Sequence, residues 1–405
     1  MTIGLIKEGK TPSDSRVALT PAQCKIIQNT FGFKILVEPS TIRAFADEEY
    51  TAQGIELSDD LENCDVLLGI KEVPIAMLKA GKTYFFFSHT IKEQAKNCNL
   101  LRAIIEKKIT LIDYEVLKDA RGARLIAFGK FAGMVGAHNG LSAYGLKTKT
   151  FNLPRLKDLQ HYVDVLPHYE KTNFGALRIV LTGHGRVANG VIQVLMDAGF
   201  TQVNPYDYLN RHFDSPVFTQ LKPVDYATRF DRVKFDKADF YTHPEKYISI
   251  FAPYTRYSDV FINCIFFENN APPFFTVEEM RAADFSIKVI ADISCDIAPE
   301  GSVPSTLFAT TIENPFYDYD PTTEKAVPQF SEKTITVMSI DNLPNELPRD
   351  ASLFFGEQFI EHIVQHLKNP ENSPVLQGGT IAKNGALTDS FKYLSHYVGA
   401  VLEKY

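Results

Sequence analysis

The sequence predicts an α/β protein of two parallel-sheet domains with a cleft between them, and three observations carry that prediction. Apolar runs such as "TYFFFSH" and "ITLIDYEVL" show no polar alternation, so the strands they form must be covered on both faces. These runs alternate with stretches of helical pattern, the order that βαβ crossovers impose. A third segment, "RIVLTGHGRVANGVIQVLMD", reads as strand, glycine turn and helix. At 405 residues the chain exceeds one core and suggests about two or three domains.

Each element follows in order. "TIGLIKE" is a short strand, and "LTPAQCKIIQNTFG" a helix with Thr20 as N-cap and Pro21 at its first position. "FKILVEP" is the next strand, "DEEYTAQG" a helix, "CDVLLGIKEV" a strand and "PIAMLKAG" a short helix. "TYFFFSH" then leads to the helix "KEQAKNCNLLRAIIEKK" and the strand "ITLIDYEVL". Small residues crowd into "FGKFAGMVGAHNGLSAYG", which reads as a connecting helix that lets another backbone come close. After the glycine turn, "QVNPYD" is a second strand, "SDVFINCIFF" a third and "SIKVIADISCD" a fourth. The polar, aromatic stretch at about 208–256 is long for a crossover and reads as an inserted hairpin or helical excursion. "SLFFGEQFIEHIVQHL" is an amphipathic helix that returns to the first domain. The expected domains are residues 1–134 with 346–405, holding substrate, and 135–345, holding a dinucleotide.

Bulk composition narrows the function. A net charge of -7 argues against nucleic-acid partners, and no run approaches the ~18 apolar residues of a membrane span. The N-terminus enters a strand directly, without the pattern of a signal or transit peptide, and predicts a cytoplasmic protein. Cys24, Cys64, Cys98, Cys264 and Cys295 are scattered and read as reduced thiols. No metal is expected, because no cluster has ligand spacing.

The chemistry-bearing residues fall into two groups. Gly183 and Gly185, with Ala188 at the third small position, follow a strand and open a helix, as a dinucleotide-binding turn requires. Arg186 and Val187 follow at the helix start, and Asp207 stands about 20 residues on, where a ribose hydroxyl is bound. That context makes the fold Rossmann-like. Asp292 and Asp296 follow a later buried strand, and with Cys264 they join the cofactor set. In the first domain Arg16, Lys71, Glu72, His89, Lys92 and Glu115 stand at the ends of apolar strands, where one sheet edge gathers them.

The motifs "KEGKTPSDSRVALTP", "GIKEVP", "TYFFFSHTIKEQ", "LIDYE", "GARLIAFGKFAG", "FINCIFFENNAP", "DISCD", "TTIENPF" and "SIDNLP" resemble the alanine dehydrogenase/transhydrogenase superfamily. Within it they are most similar to saccharopine dehydrogenases of the L-lysine-forming type and to lysine–2-oxoglutarate reductase. The likeness runs nearly end to end, including "HPEKYIS" and "IAKNGALTDSFKYL".

The resemblance implies that L-lysine and 2-oxoglutarate condense to an imine whose reduction by NAD(P)H gives saccharopine, in either direction. It implies Lys71 and His89 as the acid–base pair and Glu72 and Glu115 as their tuning carboxylates. Arg16 and Arg124 would clamp substrate carboxylates, and Asp341 and Asn342 would lie beside the nicotinamide. Asp207 favours NAD, whereas the bifunctional branch of the family implies NADP; Asn204 competes for the ribose, and Arg211 and His212 remain as partners for a 2′-phosphate. The expected assembly is a monomer or homodimer. Alanine dehydrogenase, another opine dehydrogenase and a non-catalytic dinucleotide-binding regulator are the alternatives.

Overall fold

In a computed structural model that describes residues 1–265, 267 and 271–399, the chain divides into two compact units, Met1–Phe128 with Pro348–Tyr405, and Gly129–Leu347. None of the described helices is long and apolar enough to cross a membrane.

The first unit opens with strands β1 (Thr2–Leu5), β2 (Lys34–Val37), β3 (Glu56–Leu57), β4 (Val66–Leu68), β5 (Thr83–Phe86) and β6 (Thr110–Asp113). Helix Pro21–Phe31 starts as its sequence predicts. The Thr20 hydroxyl accepts from the Gln23 amide, the Gln23 side chain accepts from the Thr20 amide, and Pro21 sits inside the first turn. Gly32 ends it in the left-handed region at φ 71°, where a Cβ would be disfavoured. Two expected helices shrink: "PIAMLKAG" keeps only the 3-10 turn Ile75–Met77, and the helix after β5 begins at Cys98 rather than near Lys92. Pro74 precedes the first as its N-cap, and 3-10 turns Thr90–Lys92 and Ala95–Asn97 occupy the lead-in of the second.

The second unit begins with the helix Gly129–Thr148. Its strands are β7 (Arg178–Thr182), β8 (Thr201–Gln202), β9 (Val217–Leu221), β10 (Ala227–Arg229), β11 (Tyr247–Ser249), β12 (Val260–Asn263), β13 (Val289–Asp292), β14 (Tyr317–Asp320), β15 (Lys325–Val327) and β16 (Ile335–Met338). Of the run "SDVFINCIFF", Phe266 lies outside the described residues. The eight-stranded order is β15-β14-β16-β13-β12-β7-β9-β8, parallel from β16 to β8, with β14 and β15 antiparallel at one end. One expectation is overturned here. "QVNPYD" is not the strand beside β7: β8 is two residues long at the sheet edge, and Pro205–Asn210 is a helix capped by Asn204. The neighbour of β7 is β9, from within the presumed insert, registered Arg178↔Val217 through Thr182↔Leu221. The remainder of that stretch carries the antiparallel pair β10–β11 and short helices.

Two glycines explain how the long helix packs in this unit. A Cβ on Gly133 would stand 1.8 Å from the Val187 carbonyl oxygen, and one on Gly190 would stand 2.0 Å from that of Lys130. The helices Gly129–Thr148 and Arg186–Asp197 therefore cross backbone to backbone.

The chain then returns to the first unit with helix Pro348–His362 and strands β17 (Thr380–Lys383) and β18 (Ala386–Leu387). They complete a sheet of order β18-β17-β6-β5-β4-β1-β2-β3, parallel from β6 to β3 and antiparallel at β17 and β18. Phe355 of the returning helix stacks on Phe128 at 4.8 Å and meets Tyr114 edge-on at 4.9 Å. That aromatic layer lies under the strand ends that carry the polar residues.

Candidate functional site

Strands β1, β4, β5 and β6 run parallel, so the loops that follow them share one sheet edge. The loop after β5 answers why an apolar strand stops at Ser88-His89-Thr90. Asp113, at the end of β6 and fully buried, accepts from the Ser88 amide at 2.9 Å and from its hydroxyl at 2.5 Å. Beside this latch His89 stands in the left-handed region at φ 51°, an uncommon conformation for a residue other than glycine. The imidazole stacks on Phe87, 17° from parallel, and its Nδ1 lies 2.8 Å from Glu72 Oε1. The second Glu72 oxygen lies 2.9 Å from Lys10 Nζ. Burial alone would raise the Glu72 carboxyl, but the His89 and Lys10 contacts reverse it and hold Glu72 well below the usual carboxylate range.

Lys71 is the neighbouring group. Burial, with the Arg16 and Lys10 cations, brings its ammonium down to about 8. Its amide donates to Glu8 Oε2 at 2.9 Å, and Glu8 Oε1 takes the Ile70 amide at 2.6 Å, so one carboxylate anchors the turn after β4. Burial pushes the Glu8 carboxyl up to about 7 against those two amides. Arg16 gives two donors to Asp14, at 2.9 and 2.5 Å, and lies 4.2 Å over the Phe128 ring. Despite the cost of burial, Arg16 holds the Asp14 carboxyl at about 2. The fork of Arg16, read from the sequence as a substrate clamp, is thus engaged by Asp14 within the fold. Glu115 lies 3.5 Å from Lys92 and 3.9 Å from Arg124, whose guanidinium sits 5.3 Å over the same Phe87 ring that stacks on His89. All seven first-unit residues picked from the sequence meet in this cluster. Glu8, Lys10 and Asp14 were missed, although all three stand in the same N-terminal motif.

In the second unit a cavity of about 990 Å³ opens on the glycine turn. Gly183 has φ +98°, and a Cβ there would come 2.7 Å from the Cys264 carbonyl oxygen. At Gly185, which precedes the helix Arg186–Asp197, a Cβ would meet nothing within 4 Å. Gly183, Gly185, Val187 and Cys264 line the cavity, together with the aromatic residues Tyr226, Phe235, Phe240, Tyr241, Phe267 and Phe274. An open backbone face at a twelve-residue helix start, beside an apolar slot, fits a pyrophosphate and a flat ring.

The other cofactor candidates fall elsewhere. Asp207 lies in helix Pro205–Asn210, where it accepts from Asn204 Nδ2 at 2.7 Å and pairs with Arg211 at 2.9 Å. It stands off the lining because β9, not the segment before Asp207, neighbours β7. Asp292 is fully buried, accepting from Asn263 at 2.9 Å and from Thr306 at 2.6 Å, and burial raises it to about 6; it braces strand ends. Arg186, Asp296, Asp341 and Asn342 also lie off the lining, Asn342 preceding the 3-10 turn Leu343–Glu346. His184, Lys222 and Lys237 do line it and were missed: His184 sits between the two glycines of the turn, and the place of the lysines depends on the sheet order. Among the described residues no group of three or more His, Cys, Asp or Glu is placed to hold a metal.

Comparison with known proteins shows what the chain is similar to. The model for the alanine dehydrogenase/PNT N-terminal domain matches residues 4–135. The mitochondrial alpha-aminoadipic semialdehyde synthase of Mus musculus is 31% identical over 443 residues, spanning 97% of this chain and 47% of that protein. The chain thus spans about half the length of the first curated relatives it matches. Saccharopine dehydrogenase [NAD(+), L-lysine-forming] of Emericella nidulans is 27% identical, with 90% of this chain and 92% of that protein covered. Among solved structures, an L-alanine dehydrogenase shares the fold with a TM-score of 0.66 at 16% identity, over 98% of this chain and 100% of that one. A transhydrogenase from Sinorhizobium meliloti follows with a TM-score of 0.58 at 13% identity, over 96% and 100%. The chain is thus similar to the alanine dehydrogenase/PNT N-terminal domain over residues 4–135 and to these relatives along nearly its whole length.

Proposed function

We propose that this chain is an NAD(P)-dependent oxidoreductase acting on a CH–NH group, which forms saccharopine from L-lysine and 2-oxoglutarate or runs the reverse reaction. One observation carries the reading: Lys71, an ammonium brought to about 8, feels the charge of Glu72, the carboxylate that is paired with His89. The reaction needs such groups. The lysine amine must lose a proton to attack the ketone, the carbinolamine must lose its hydroxyl as water, and the imine nitrogen must end as a protonated amine. Lys71 exchanges protons near neutrality, and His89, oriented through Nδ1 by Glu72, presents its second ring nitrogen as the partner. The positive charges of Arg124 and Arg16 attract the dicarboxylate, and Glu115 attracts the amine end of lysine. When bound, NAD(P)H would supply the hydride for the imine carbon. In the second unit Gly183 and Gly185 leave room for its pyrophosphate, and the aromatic slot takes its adenine. The proposed place of action is the cytoplasm.

The test is oxidation of NADH and NADPH by the purified protein, with L-lysine plus 2-oxoglutarate against ammonia plus pyruvate. Turnover with the first pair and not the second is expected. Turnover with the second alone makes the chain an alanine dehydrogenase, and dinucleotide binding without any turnover makes it a regulator.

A further inference from the structure

The sheet order of the second unit decides which residue faces the ribose of a bound dinucleotide. In a doubly wound site that residue follows the strand beside the glycine turn; an acid there binds the ribose 2′-hydroxyl, and a cation accommodates a 2′-phosphate. Here the strand is β9, whose last residue Leu221 registers with Thr182, the residue before Gly183. Gln220 fastens the two ends further by donating to the Gly183 carbonyl at 2.7 Å. The next residue is Lys222, solvent-exposed and on the cavity lining.

We propose that Lys222 and Lys237, flanking the glycine turn at His184, form a 2′-phosphate subsite and make this chain selective for NADP(H). Two carboxylates stand nearby, Asp225 and the lining residue Asp236, and each makes a hydrogen bond to backbone. Asp225 accepts from the Lys222 amide at 2.7 Å and Asp236 from the Asp239 amide at 2.8 Å, each capping a helix. Asp207, the acid that would repel a 2′-phosphate, is off the lining and paired with Arg211. The field at the turn agrees: burial first, then Lys222 and Lys237, hold the His184 imidazole below its ordinary value, with Asp225 opposing. An imidazole between two ammonium groups gains a proton readily only when an anion arrives. A phosphate dianion at that spot meets two lysines and a histidine able to protonate.

This inference rests on the dinucleotide-binding reading, so its test reads binding alone, with no lysine or 2-oxoglutarate present. Calorimetry on the full chain compares NADPH with NADH, and 2′,5′-ADP with 5′-AMP. NADPH and 2′,5′-ADP are expected to bind at least tenfold tighter than their partners, with a preference that falls as salt rises. Lys222→Ala and Lys237→Ala should each lose most of that preference, lowering NADPH affinity while NADH affinity moves by less than threefold. Lys222→Asp should invert it. Equal or tighter binding of NADH by the unaltered protein overturns the subsite, as does a Lys222→Ala protein that weakens both dinucleotides alike. Binding of neither dinucleotide overturns the glycine-turn site as well. Failure of the lysine-plus-2-oxoglutarate assay with the NADPH preference intact overturns the proposed reaction alone.

Discussion

At the scale of single residues, His89 and Lys71 carry different predictions because they differ in burial and partners. His89→Gln keeps bulk and a hydrogen-bond donor for Glu72 but cannot titrate. Turnover is expected to fall by roughly 10²–10⁴-fold, with dinucleotide affinity unchanged, as measured by steady-state kinetics beside calorimetry. Near-normal turnover with an unaltered pH profile would make His89 a packed histidine held by the Ser88–Asp113 latch. Lys71 adds a stability signature. Its folded value of about 8 lies below the ordinary 10.5, so between those values the native state holds fewer protons than the unfolded chain. The cost of its burial is therefore fully present below pH 8 and is relieved as pH rises toward 10.5. Lys71→Met should abolish turnover yet unfold later in denaturant at pH 7, by on the order of 2 kcal/mol, with the gain shrinking between pH 8 and 10.5. The sequence exposed both residues because each ends an apolar strand. It hid Glu8 and Asp14, since nothing in a polar loop marks which carboxylate folds back onto an amide or an arginine.

At the scale of elements, the two helices that cross at Gly133 and Gly190 make a sharper stability prediction than the glycine turn does. A methyl on Gly190 would sit 2.0 Å from the backbone oxygen of Lys130, and backbone cannot swing aside as a side chain can. Gly190→Ala should cost about 3 kcal/mol or more, beyond the usual range for an extra methyl in a packed core, in chemical denaturation. Gly185 has ordinary extended backbone at φ -92° and open space beyond it. Gly185→Val should therefore leave the unfolding midpoint nearly unchanged while removing NAD(P)H binding, because its branched side chain fills the pyrophosphate's approach. A folded Gly185→Val protein with undiminished affinity would remove the turn from the site. The small-residue pattern of "FAGMVGAHNG" made the close crossing legible. The order of β8 and β9 was not, because strand neighbours are chosen by tertiary packing. Even so, Asn204-Pro205 carried a local warning: it is a helix-start signature, and a proline within a central strand would leave a ladder bond unmade.

At the scale of the whole molecule, the two units differ in how the chain supplies them. The second is one continuous segment with its own eight-stranded sheet and its own cavity. The first needs residues from both ends of the chain, and its aromatic layer is shared between them. Phe355 packs on Phe87, Tyr114 and Phe128, and Phe359 packs on Phe85 and Tyr114. Gln23 donates to the Leu353 carbonyl at 2.7 Å, and β17 covers the edge of β6. Removing residues 348–405 would strip those rings of their partners, leave β6 an open edge and loosen Phe87, on which His89 stacks. Residues 129–347 expressed alone should fold cooperatively and bind NADPH within about threefold of the full chain. Residues 1–347 should keep that binding but lose the cooperative unfolding of the first unit and all turnover. Calorimetric unfolding with dinucleotide titration on both fragments reads the difference directly. If residues 129–347 fail to fold alone, the second unit depends on the first for its stability, and the proposed division of labour between a nucleotide-binding unit and a proton-transfer unit does not extend to folding.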